Sequence, residues 1–166
     1  AQAGVYYHYG LQKKLLPEKL FGVYEHKVLN RKVPLVRGFD DVFMAPHSRH
    51  TTVETKDIYD CKELTVLAES EEAGVFLAIA ENGKKIFVMG HPEYDRLTLD
   101  NEYKRDLGKG MKIEIPKNYY PGNNVDNRPL LQWRSHCNIF YSNWLNYYVY
   151  QQTPYEFIDN DIILGR

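Results

Sequence analysis

The run Lys85-Ile86-Phe87-Val88-Met89 is apolar after its first residue and reads as a buried strand. Leu64 to Ala68 and Gly74 to Ala80 predict two more strands, and Glu81-Asn82-Gly83 supplies a hairpin turn ahead of Lys85. Nearer the start, Val23, Tyr24 and Val28 stand among polar residues from Leu20 to Leu29, a strand pattern followed by the turn-prone Asn30-Arg31-Lys32-Val33-Pro34. Asp41 to Pro46 predicts a short strand stopped by proline, which leaves His47-Ser48-Arg49-His50 in a loop at its end.

Helical patterns flank these strands. Ala1 to Gly10 carries small residues suited to close packing and a glycine at its end, Thr55 to Glu63 predicts a short helix, and Thr98 to Leu107 a longer one stopped by Gly108. In that longer helix Asp100 and Lys104 are spaced for an i,i+4 pair. Phe140, Trp144, Tyr147 and Tyr148 recur at helical spacing, the pattern of a helix laid on a sheet. Ser135 to Tyr155 lacks Asp, Glu, Lys and Arg, but Asn138, Ser142, Asn143, Asn146, Gln151 and Gln152 make it too polar for a membrane span. Pro116 to Pro129, rich in Pro, Gly and Asn, is a loop long enough to be a functional cover or a mobile segment. The elements together predict an α/β chain, 1–166 forming one domain or most of one.

Composition narrows the function. With 21 basic and 22 acidic residues and a net charge of -1, there is no basic excess for a nucleic-acid or membrane-surface partner. Two cysteines give no disulfide framework, and no charged-then-apolar signal opens the chain, so a cytoplasmic setting is expected. His47, His50 and Cys61 lack the second cysteine pair or HExxH helix that would support zinc, so no metal site is expected.

The candidate chemistry lies at the carboxyl end of the Lys85–Met89 run, where Gly90-His91-Pro92-Glu93 follows. Strand ends are where open α/β sheets place their sites. Gly90 allows the turn, Pro92 restricts it, and His91 oriented by Glu93 can act as a general base. Neither cysteine makes a convincing nucleophile for it. Cys61 sits beside acids that raise a thiol pKa, and Cys137 opens an aromatic helix where a cysteine is usually a small buried hydrophobe. Ser48 and Arg49 would suit an anionic or hydroxyl-bearing substrate. Lys19 or Arg105 could pair a substrate carboxylate or simply be solvated, and Arg105 reaches His91 only if the chain turns near Thr98.

Four stretches then carry a resemblance. His91-Pro92-Glu93, His47-Ser48-Arg49-His50, Asn118-Tyr119-Tyr120-Pro121 and Ser142-Asn143-Trp144-Leu145-Asn146-Tyr147-Tyr148-Val149-Tyr150-Gln151 together resemble the carboxyl-terminal half of the homoserine O-acyltransferases of methionine biosynthesis. The resemblance implies a class I glutamine amidotransferase-like α/β fold, an open sheet with flanking helices, here without its amino-terminal half. It implies a Cys-His-Glu triad with His91 as proton acceptor, Glu93 as its orienting acid, and Lys19, Ser48 and Arg105 as substrate-binding positions. It further implies that the nucleophilic cysteine lies just ahead of Ala1, so that residues 1–166 alone are expected to be inactive. Homoserine and acetyl-CoA or succinyl-CoA are the implied substrates, acetyl favoured, with no cofactor, and a homodimer is compatible with the family. Class I glutamine amidotransferases share the His-Pro-Glu element, which makes a glutaminase the alternative enzyme.

Overall fold

In the computed structural model, which describes residues 1–153, strands β1 (Lys13–Val28), β2 (Val42–Val53), β3 (Thr65–Ser70), β4 (Gly74–Ala80) and β5 (Lys85–Val88) build one sheet. Their order is β2-β1-β3-β4-β5, antiparallel at each of these pairings. β2 and β5 stand at opposite ends of that order, yet the chain leaving β5 returns to β2, where the His91 N–H donates to the Pro46 carbonyl at 2.8 Å. The sheet therefore curls until its two edges meet, an extreme of the twist that all sheets have. Inside the curl lies an apolar core that includes Phe43, Ala45, Leu67, Phe76 and Leu77.

Three of the predicted strands, the hairpin turn and the helices occur close to where they were expected. Helix α1 (Gln2–Tyr9) buries Val5 and brings Gly4 against the Phe87 ring of β5, and α2 (Thr55–Asp60) adds Ile58 to the same cluster. Helix α3 (Thr98–Gly108) packs Leu99 on Phe21 and Val23 together with Tyr119, Tyr120 and Trp133. Asp100 and Lys104 form the expected pair at 2.8 Å.

Strands β1 and β2 are longer than their patterns suggest. β2 runs through Pro46 and carries His47 to His50 as strand rather than loop, because an edge strand tolerates a residue without an N–H. β1 starts at Lys13, and its register jumps: Leu15 faces Thr51 and Leu20 faces Arg49, so Leu16 to Lys19 bulge opposite His50 alone. Pro17 lies in that bulge, where it has no ladder bond to lose.

The segment after Pro116 is a strut. Lys117 exchanges backbone hydrogen bonds with Phe21 (2.9 Å) and Val23 (2.8 Å), while Tyr119 and Tyr120 are buried. Gly22 makes this passage possible: its φ is +148°, and a Cβ there would collide with the Lys117 backbone.

Helix α4 (Arg134–Trp144) continues as a π-helical segment, Leu145–Tyr150. Phe140 and Tyr148 pack on the core as expected, but Trp144, the last residue of α4 before the π turn, is 39% exposed. Buried Asn143 donates from Nδ2 to the carbonyls of Leu35 (3.1 Å) and Arg37 (2.8 Å), tying the helix to the turn Pro34–Val36. Pro154 and Tyr155, the last positions of the aromatic segment, lie outside the described residues. Among the described residues, no helix is long and apolar enough to cross a membrane.

Candidate active site

His91 Nδ1 lies 2.9 Å from Glu93 Oε1. An ionised carboxylate only accepts, so Nδ1 carries the proton and Nε2 keeps its lone pair. The imidazole is 35% exposed and open to an incoming group. Three contacts fix it besides Glu93. The backbone N–H of His91 donates to the Pro46 carbonyl, Pro92 is buried behind the ring, and the Tyr94 ring stacks on it at 4.3 Å and 15°. Tyr94 is itself secured at its carbonyl, which accepts from the indole of buried Trp133 at 2.7 Å.

The Tyr94 hydroxyl leads to the predicted substrate residues. It donates to Glu102 Oε1 at 2.8 Å, and the Ser48 hydroxyl donates to Glu102 Oε2. Lys19 reaches Glu102 Oε2 at 3.4 Å and Asp106 Oδ2 at 3.0 Å, and Arg105 pairs with Asp106 Oδ1 at 2.7 Å. Each position has a structural cause. The β1 bulge re-aims Lys19, whose ammonium also lies over the Phe21 ring at 3.9 Å. Strand alternation turns Ser48 to the face opposite His47 and Arg49. Glu102, Arg105 and Asp106 share one face of α3 through i, i+3 and i+4 spacing.

Electrostatics keeps this network ionised. Burial alone would raise the pKa of Glu102, but hydrogen bonds from Ser48 and Tyr94 and the Lys19 charge hold it below the ordinary glutamate value. Asp106 is likewise lowered: burial opposes ionisation, and Lys19 and Arg105 overcome it. Burial and the Glu102 hydrogen bond push the Tyr94 hydroxyl upward, so it remains a donor. Beside Lys19, a cleft of about 350 Å³ opens between Phe21, His50, Met111 and Ile113.

The structure thus brings all five predicted site residues, His91, Glu93, Lys19, Ser48 and Arg105, into one connected arrangement. The His47–His50 segment, expected as a loop at a strand end, is strand instead, and its His47 is fully buried. Its Nε2 meets Nε2 of the equally buried His26 at 2.9 Å, under Gly90, where a Cβ would lie 3.0 Å from His47 Nε2 and 2.7 Å from the Phe76 ring. Burial lowers the pKa of His26 to about 4 and that of His47 well below the usual histidine value. Cys61 donates to Glu63 at 3.3 Å, and its pKa is raised by burial and by that carboxylate. Burial, and next Glu93, raise that of Cys137. Among the described residues, no group of three or more His, Cys, Asp or Glu is placed to hold a metal ion.

Sequence reading missed Tyr94, Glu102, Asp106 and the buried pair His26–His47. For the two acids a signal existed, an i,i+4 acidic pair around Arg105, but charges on a helix ordinarily read as a solvated face.

A family model described as homoserine O-succinyltransferase matches residues 1–155. The chain belongs to this family. Within it, the homoserine O-acetyltransferase of Agathobacter rectalis is 68% identical over 166 residues, covering 100% of this chain and 54% of that protein. The homoserine O-acetyltransferase of Lachnoclostridium phytofermentans is 66% identical over 156 residues, covering 94% and 52%. This family member therefore spans about half the length of the curated relatives it matches. The solved structure of SMU.1228c shares the fold at a TM-score of 0.56 and 17% identity, over 81% of this chain and 55% of that one.

Proposed function

We propose that this chain is the base-carrying, homoserine-binding part of a homoserine O-acetyltransferase. The observation that supports this best is the link from His91 through Tyr94 to Glu102, Ser48, Lys19, Asp106 and Arg105. Two cations and two anions there are internally neutral, which suits a zwitterionic amino acid. Lys19 and Arg105 would take the α-carboxylate, Arg105 by its planar fork, and Glu102 would take the α-ammonium. The hydroxyl at the end of the homoserine side chain would then reach toward Nε2 of His91. Acetyl is favoured as the acyl group because the similar relatives are homoserine O-acetyltransferases.

The reaction would proceed through a cysteine outside residues 1–166, where the family resemblance puts it; the raised pKa values of Cys61 and Cys137 make neither a ready thiolate. The nucleophile's proton passes to His91 Nε2, its thiolate attacks the thioester carbonyl of acetyl-CoA, and the carbon–sulfur bond to CoA breaks as the leaving sulfur takes that proton from His91. Homoserine's hydroxyl oxygen next attacks the acyl-enzyme while His91 Nε2 accepts its proton. The thiolate departs, leaving O-acetylhomoserine, and Glu93 stabilises the imidazolium formed on the way. Residues 1–166 alone would not turn over.

The test uses the complete natural polypeptide containing this chain. It should acylate homoserine faster from acetyl-CoA than from succinyl-CoA, form a mass-detectable acyl-cysteine, and lack glutaminase activity. His91→Ala should lower kcat by about 10³-fold or more. Glutamine hydrolysis without acyl transfer, or an active His91→Ala protein, would refute the reading.

A further inference from the structure

Arg49 lies on the far side of β2 from the substrate network and meets no carboxylate among the described residues. All its hydrogen bonds go to neutral acceptors. Nη1 donates to His47 Nδ1 and to the Met89 carbonyl, each at 3.0 Å, while Nη2 donates to the Ala73 carbonyl at 2.6 Å and reaches the Thr52 hydroxyl at 3.4 Å. Burial lowers its pKa to about 10, so it is still a cation at neutral pH. Nε is buried without a partner. An unpaired, largely buried guanidinium is a costly way to stabilise a fold. What this one provides is geometry.

The chain enters His91 over three supports. Met89, two residues earlier, has its carbonyl on Arg49; Gly90 rests against Phe76 and the His47 edge; and His91 hangs from Pro46 by its N–H. Arg49 controls the first two. Being a donor only, it also sets the His47 tautomer. Nδ1 must accept, so Nε2–H points to His26, and the ring beneath Gly90 is locked in one orientation. A planar fork is needed because Nη1 and Nη2 grip carbonyls from different places, the end of β5 and the turn before β4.

We infer that Arg49 is a positioning residue for His91, acting through the Met89 carbonyl and the His47 ring to set where the imidazole is presented. The inference rests on the reading of His91 as the general base. Arg49 touches neither substrate nor the reacting atoms.

Arg49→Lys keeps the charge and much of the stem but cannot grip both carbonyls. In the complete natural polypeptide, it should reduce kcat about 10- to 100-fold, as expected for a base misplaced by a fraction of an ångström to one ångström, with KM for both substrates within about twofold. Hydrogen exchange at the His91 amide should accelerate at least about tenfold while β3 and α4 amides keep their protection. In Arg49→Ala, added guanidinium should restore part of the lost kcat. Unchanged kcat, a KM rise matching the kcat loss, or unchanged exchange at His91 in the lysine variant would each overturn the inference. His91→Ala, assayed in parallel, separates the two levels. If it is inactive while Arg49→Lys behaves as wild type, only the positioning role fails; if it is active, the base reading fails and the positioning role falls with it.

Discussion

Glu102 receives three donors from three different places in the chain: the Ser48 hydroxyl, the Tyr94 hydroxyl and the Lys19 ammonium. As an amide the side chain would keep only one accepting oxygen and lose the charge that pairs with Lys19, and a bound ammonium would lose its counter-charge. Glu102→Gln should raise KM for homoserine about 10- to 100-fold, in line with about 1.5–3 kcal/mol for a hydrogen bond to a charged group, with a much smaller effect on KM for the acyl donor. Steady-state kinetics with each substrate varied in turn measures this. His26 is the residue-scale counterpart in the interior. Its folded pKa of about 4 lies below the unfolded value of about 6.5, so the unfolded chain binds the extra proton first. The neutral ring's stability contribution is complete above about pH 6.5 and is lost as pH falls toward about 4. His26→Gln keeps an acceptor for His47 but does not titrate. Comparing urea unfolding at pH 7 and pH 5, it should remove roughly 2 kcal/mol of the acid destabilisation.

Elements differ in how plainly their sequences announce them. β5 and the His91-Pro92-Glu93 turn were legible because strand pattern, glycine and proline act within a few residues of one another. β2 was cut short at Pro46 because the penalty for a missing N–H depends on whether the strand is central or at an edge, and that is a property of the sheet. The bulge that aims Lys19 was hidden for the same reason, since it exists only as a register jump against His50. The proposed substrate positions therefore came from family resemblance, while the acids that bind them together had to be seen in three dimensions. The aromatic helix shows a milder version: its stripe was visible, but the π turn that follows Trp144 was not. Asn143, just before that turn, is a place to test the join between α4 and the rest. Asn143→Ala would strand the carbonyls of Leu35 and Arg37, and it should cost about 2 kcal/mol in equilibrium urea unfolding with no change in the unfolding slope m.

At the scale of the whole molecule, the curl of the sheet was the least legible feature, because antiparallel pairing predicts neighbours but not that opposite edges meet. The backbones meet there, among the described residues, through one hydrogen bond from the His91 amide to the Pro46 carbonyl, with the Arg49 side chain reaching the Met89 carbonyl beside it. Pro46 belongs to the first half of the described chain and His91 to the second, with three complete strands threaded between them. The imidazole is thus anchored at a seam rather than on a hairpin. Fraying of either border strand would slacken it even while the opposite border stayed intact, so a correctly presented imidazole reports that the full circuit of strands has assembled.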